Sequence, residues 1–133
     1  MPVYNVATRA PVSYQMCKDT ADAITDIHCE LTGAPPEFVN VIFMHGHRLK
    51  AGHTVGVVCN VRSGGNRNAE LTENLRLKIR DGVARSMGTS AGKVHTILLG
   101  FPASWVMEGG EILPEPGEEE SWLKRDEASG FSR

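Results

Sequence analysis

The chain has 133 residues, 41% hydrophobic and 6% aromatic, with 14 Lys plus Arg against 16 Asp plus Glu and a formal net charge of −2. That length predicts one domain with a core that needs neither metal nor disulfides, while the balanced charge argues against a nucleic-acid clamp and the few aromatics against a base-stacking platform. No apolar run approaches the roughly 20 residues of a membrane span, and Met1-Pro2-Val3-Tyr4-Asn5-Val6 lacks the basic and apolar regions of a signal peptide, so a cytoplasmic protein with no nucleic-acid and no membrane partner is expected.

Val3 to Ala7 reads as a short strand. Ser13 is placed to cap a helix whose apolar stripe is Met16, Thr20, Ala23, Ile24, Ile27 and Leu31, and Gly33 with Pro35-Pro36 ends it. Phe38 to Met44 is a strand of branched and aromatic residues, followed by a loop or hairpin from His45 to Gly52. Thr54 to Val61 is the next strand, and Ser63-Gly64-Gly65-Asn66 is a turn. Leu71, Leu75, Ile79, Val83 and Met87 recur in steps of four and predict a helix from about Asn68 to Met87, stopped by Gly88. Lys93 to Leu99 is the fourth strand. Glycines and prolines then punctuate an irregular segment with room for a short hairpin. The tail from Glu118 is charged, with only Trp122, Leu123 and Phe131 to anchor it, and is expected to be partly disordered or to pack on a neighbour.

The expected fold is therefore α/β (α+β): two β-α-β halves, about residues 2–45 and 54–100, forming one four-stranded sheet with two helices on one face. Residues 1–117 form the domain and 118–133 the tail. The other sheet face is too apolar to be left in water, which predicts an oligomer. Cys17 and Cys29 stand 12 residues apart on one predicted helix, about 18 Å and far beyond disulfide reach. With Cys59 they read as reduced, mostly buried thiols.

Few residues are candidates for chemistry. Methionine removal is favoured before a small second residue, and the mature chain would then begin with Pro2, a secondary amine held by a strand. Burial lowers the pKa of such an amine towards a usable base, and nearby carboxylates keep it an acid. Arg62 and Arg67 flank the glycine-rich turn and suit a small carboxylate, although solvated surface arginines would have the same spacing. His28 lies beside the buried stripe, where a core or interface histidine is the alternative. Glu108, among Trp105, Val106 and Met107, could activate water, or be an ordinary loop acid. His45, His47 and His53 lack a firmly spaced acidic or Cys ligand for a metal, and the Ser63–Asn66 turn lacks the Lys-Ser/Thr ending of a P-loop, so no metal and no cofactor are expected.

With these residues in view, the chain resembles the tautomerase superfamily, specifically the cis-3-chloroacrylic acid dehalogenase subgroup. The resemblance rests on Met1-Pro2-Val3-Tyr4, on Ala23-Ile24-Thr25-Asp26-Ile27-His28-Cys29-Glu30-Leu31-Thr32-Gly33, and on Pro102 to Glu108 with Ile112-Leu113-Pro114-Glu115-Pro116-Gly117. It implies that Pro2 is the catalytic N-terminal proline, that His28, Arg67 and Arg62 bind the substrate carboxylate, that Glu108 activates water, and that the chain forms a homotrimer. Two features depart from the pattern. The arginines stand five residues apart with extra Gly and Asn between them, and Leu98 occupies the position of the subgroup's active-site tyrosine. Leucine cannot orient a water, and losing one such group typically costs a factor of about 100 or more.

The expected function is an isomerase: a keto–enol tautomerase acting through Pro2 on a small 2-oxo or α,β-unsaturated carboxylate, with weak hydratase or hydrolytic dehalogenase activity. The alternatives are an efficient cis-3-haloacrylate dehalogenase, a hydrolase, and a non-catalytic trimeric interaction module. The last predicts that Pro2 is plugged by neighbouring side chains and that Arg62 and Arg67 face solvent or pair with the acidic tail.

Overall fold

The computed structural model describes residues 1–128. Buried and less buried side chains alternate along β1 (Val3–Thr8), with Tyr4, Val6 and Thr8 inside. Helix α1 (Tyr14–Thr32) begins where the Ser13 hydroxyl accepts the Met16 N–H and ends at Gly33, whose φ of 75° suits glycine. Its buried positions, Thr20, Ile24, His28 and Thr32, come every fourth residue and define the face laid on the sheet. Strand β2 (Asn40–His45) runs parallel to β1 and starts at Asn40 rather than at Phe38. Pro35 and Pro36 open a tight turn instead, closed by the Phe38 and Val39 N–H groups on the Pro35 and Pro36 carbonyls.

The second half repeats the plan with β3 (Val55–Ser63), α2 (Ala69–Met87) and β4 (Val94–Pro102). Residues 46–54 connect the halves as a loop and not a hairpin. Both strands run further than expected, because the parallel ladder continues through Arg62 opposite Phe101 and Ser63 opposite Pro102. Arg62 is thus a strand residue. The sheet order is β2-β1-β3-β4, with β1 and β3 antiparallel at the centre. Val6, Val57 and Val61 of the sheet meet Ile24, Leu75 and Ile79 of the helices in one core.

The opposite sheet face carries Ile42, Ile97 and Leu99, 50%, 41% and 44% exposed in the single chain. The three cysteines are free; Cys59 lies in the core, whereas Cys17 and Cys29 are only partly buried, contrary to expectation, because they flank the inner stripe of α1. A two-stranded hairpin, β5 (Met107–Glu108) with β6 (Glu111–Ile112), follows β4. The described part of the tail, up to Ala128, packs on its own chain instead of being partly disordered or packing on a neighbour. It forms α3 (Glu119–Ala128), anchored where the Trp122 indole N–H donates to the Ile112 carbonyl at 3.1 Å and its ring meets Phe38 edge-on. Phe131 lies outside the described residues.

Candidate active site

The topology brings the candidate residues to one end of the sheet. Strands β1 and β2 begin there, and β3 and β4, running the other way relative to β1, end there. The last turns of α1 return to the same end and carry His28; the segment after β4 brings Glu108 and then α3.

Pro2 is fully buried, and its carbonyl accepts the Asn40 N–H at 3.0 Å, which ties the chain start to β2. The Met1 amine lies 2.6 Å from Glu108 Oε2. Arg62 and Arg67 are 2% and 8% exposed, so neither is a solvated surface arginine. Their settings differ. Arg62 donates from Nη1 to the Pro114 carbonyl and from Nη2 to Glu119 Oε1 at 2.7 Å. Arg67 donates from Nη1 to the Arg62 carbonyl at 2.7 Å. The extra residues between the two arginines form a turn filled by the chain itself. Gly65, at φ 57°, lies so close to Pro116 that a Cβ there would come within 2.2 Å of the Pro116 oxygen, which leaves no cradle for a phosphate.

Glu119 was not singled out from the sequence, nor was Tyr4 as the partner of His28. Glu119 reaches Arg62 because the prolines and Gly117 turn the chain back; acids directly after Leu113–Gly117 were the available signal. Tyr4 is fully buried and its hydroxyl lies 2.6 Å from His28 Nδ1. Its inward place in the alternation of β1, facing the helical stripe that holds His28, was the signal there. Leu98 is paired with Cys59, which is paired with Tyr4, so the three form one cross-strand row on the helix side, with Leu98 against the core.

Three buried nitrogens find no hydrogen-bond partner among the described residues: His28 Nε2, Arg62 Nε and Arg67 Nε. Guanidinium N–H groups only donate, and buried donors left unpaired cost about 1–3 kcal/mol each. Burial pushes the His28 pKa down to about 3, helped by Arg67, Arg62 and the chain's amine, so the imidazole is neutral. Burial and then Arg62 lower Arg67 to about 10, still a cation at neutral pH. Burial raises the Tyr4 phenol far above its ordinary range, so it keeps its proton.

The His28 shift has a consequence for stability. Below pH 6.5 the unfolded chain takes up a proton that the folded chain refuses until about pH 3. Stability is therefore full above pH 6.5 and falls as the pH drops through this window, by about 2 kcal/mol at pH 5. Urea midpoints of the wild type should fall between pH 7 and pH 5, and His28→Gln should lose His28's share of that slope. An unchanged slope in the variant would contradict the assignment.

Met1, Phe38, Arg62, Glu108, Leu113, Pro114, Glu119 and Trp122 enclose a cavity of about 10 Å³, room for a single water. Phe38 and Glu108 also border an open groove of about 480 Å³ lined by Pro35, Glu37 and Leu123. Glu108 thus stands between the enclosed end of the site and the surface. Among the described residues no group of three or more His, Cys, Asp or Glu side chains is gathered as for a metal ion, and no helix is long and apolar enough to cross a membrane.

Two β-α-β halves sharing a mixed four-stranded sheet, with the chain start among buried arginines, define the class: the chain belongs to the tautomerase superfamily, a superfamily of enzymes. Within it the similarity is to the cis-3-chloroacrylic acid dehalogenase family. The crystal structure of N1, a member of that family, superposes with a TM-score of 0.81 at 29% identity over 98% of this chain and 100% of that one. Native Ps01740 gives 0.67 at 28% identity over 80% of this chain and 100% of that one. The FG41 malonate semialdehyde decarboxylase inhibited by 3-bromopropiolate gives 0.67 at 17% identity over 81% of this chain and 89% of that one, a likeness of fold alone. No family model matches the sequence, and no curated protein matches it.

Proposed function

We propose that the chain, once Met1 is removed, is a cofactor-independent acid/base enzyme for small 2-oxo or α,β-unsaturated carboxylates, with keto–enol tautomerisation as its main activity. The observation that carries this reading is the pair of buried, unpaired nitrogens, Arg67 Nε and His28 Nε2, at the sheet end that holds the chain start. A carboxylate is the ligand that satisfies a guanidinium and a neutral imidazole N–H together. In this mechanism Arg67 and His28 hold the carboxylate, and Arg62, on the wall of the small cavity beside Met1 and Glu108, is braced by Pro114 and Glu119. The Pro2 nitrogen moves a proton to or from the carbon next to the substrate's carbonyl. Neighbouring guanidinium groups and burial favour the neutral amine, the base needed for tautomerisation, whereas Glu108 favours the cation, the acid needed for hydration. Glu108 takes a proton from water in the weaker hydratase or dehalogenase reaction. There Leu98 supplies no hydroxyl, and the nearby Tyr4 hydroxyl is committed to His28.

A homotrimer covering the Ile42, Ile97 and Leu99 face is part of this proposal; fused 4-OT structures of the same fold, at 14% and 21% identity, are described as trimers. One observation favours the non-catalytic module instead: Arg62 is paired with the tail at Glu119, as that reading predicts. A substrate panel separates the readings. With the chain starting at Pro2, an enol 2-oxo acid should turn over faster than cis- or trans-3-haloacrylate, and Leu98→Tyr should raise haloacrylate turnover. Fast cis-3-haloacrylate turnover by the wild type would make it a dehalogenase. No turnover of any of the three would leave the interaction module.

A further inference from the structure

We propose that Tyr4 is a positioning residue: its hydroxyl donates to His28 Nδ1 and thereby holds the imidazole in the tautomer with its proton on Nε2, a neutral donor for a substrate carboxylate oxygen. The ligand half of this statement rests on the function proposed above; the tautomer half does not.

Three observations carry it. The oxygen and nitrogen are 2.6 Å apart, a separation typical of an O–H donor and short for an N–H donor, whose usual distance is about 2.9–3.0 Å. Tyr4 is fully buried, and His28 Nδ1 is the one partner found for its hydroxyl among the described residues. If Nδ1–H donated instead, the phenol hydrogen and the Nε2 lone pair would both be buried and unpaired. With Tyr4 donating, the Nε2–H alone is left, and it awaits an acceptor. The imidazole is also neutral, so one ring nitrogen accepts while the other donates, and the bond at the first decides the state of the second.

The arrangement has a chemical use. Arg67 supplies a full positive charge, and a second cation beside it would be costly in a buried place. A neutral N–H adds a directed hydrogen bond to an anion without that cost. A neutral donor also holds its strength from pH 5 to 9, where an ordinary histidine would gain or lose its charge.

The test is the ring ¹⁵N spectrum of the full-length chain at pH 7. The wild type should show His28 with Nε2 protonated and Nδ1 bare. Tyr4→Phe, which keeps the ring and removes one oxygen, should populate the Nδ1–H tautomer. On the chain with Met1 removed, acetate as probe should bind about tenfold more weakly to Tyr4→Phe, and KM for an enol 2-oxo acid should rise by a similar factor with kcat much less affected. A wild-type proton on Nδ1 overturns the proposal, and it does so even if the variant fails to fold. An unchanged tautomer and acetate affinity in a folded Tyr4→Phe variant overturn it as well. A proton on Nε2 with no acetate binding would uphold the tautomer half while sinking the carboxylate half and the function proposed above.

Discussion

A chain that keeps Met1 is expected to be inactive towards an enol 2-oxo acid, and its removal to raise kcat/KM by about 100-fold or more. With Met1 present the Pro2 nitrogen is an amide and has no basicity. The Met1 amine, moreover, takes up Glu108 Oε2 at 2.6 Å, and the cavity beside it has room for one water. Removing the residue does three things together: it creates a secondary amine, it takes the Met1 amine away from Glu108, and it widens the cavity. Pro2→Ala in the shortened chain should lower kcat/KM by about 10²–10⁴-fold, the range of a positioned acid or base. Intact mass of the N-terminus measured alongside the assay checks both. Equal activity with and without Met1 would exclude Pro2 as the reacting group and favour the non-catalytic module.

The two arginines should respond in opposite ways. Arg67→Ala is expected to lower kcat/KM by about 100-fold or more, since the buried Arg67, unlike Arg62, has no ion-pair partner among the described residues and keeps its charge for an anion. Its cost to the fold is that of one hydrogen bond to the Arg62 carbonyl, about 1–3 kcal/mol. Arg62→Ala should act chiefly on stability. It strands the Glu119 carboxylate, 11% exposed, beside a buried carbonyl, and breaking such a pair from one side costs about 3–5 kcal/mol. Glu119→Gln should lose part of the same stability by leaving the guanidinium without its counter-charge. Urea unfolding and steady-state kinetics on the three variants separate the roles. A stable Arg62→Ala protein with a greatly raised KM would make Arg62 a substrate clamp instead of a strut.

That division was not legible in the sequence, where Arg62 and Arg67 looked alike: two cations around a flexible turn. The difference comes from a segment about 50 residues further along, where Pro114 and Glu119 return to the end of β3. Neither periodicity nor local spacing reports such a long-range contact. The tail misled for a related reason. Its composition is that of a solvated segment, yet one carboxylate and one indole find partners elsewhere in the fold and hold it in place. His28, in contrast, was readable as a residue of the buried stripe, but its partner Tyr4 sits on a different element, and only the packing of α1 on β1 makes them a pair.

The sequence by itself determined the two β-α-β halves, the Ser13 cap, the helix stops at Gly33 and Gly88, and the apolar stripe of each of the two long helices, because these follow from side-chain period and backbone chemistry within a few residues. Only the tertiary structure decided which arginine is paired with a carboxylate and which is held by a carbonyl alone, and which proton-bearing neighbour His28 has. Those properties depend on burial and on donors and acceptors brought together from distant parts of the chain, and desolvation gives them their strength only once the fold has closed around them.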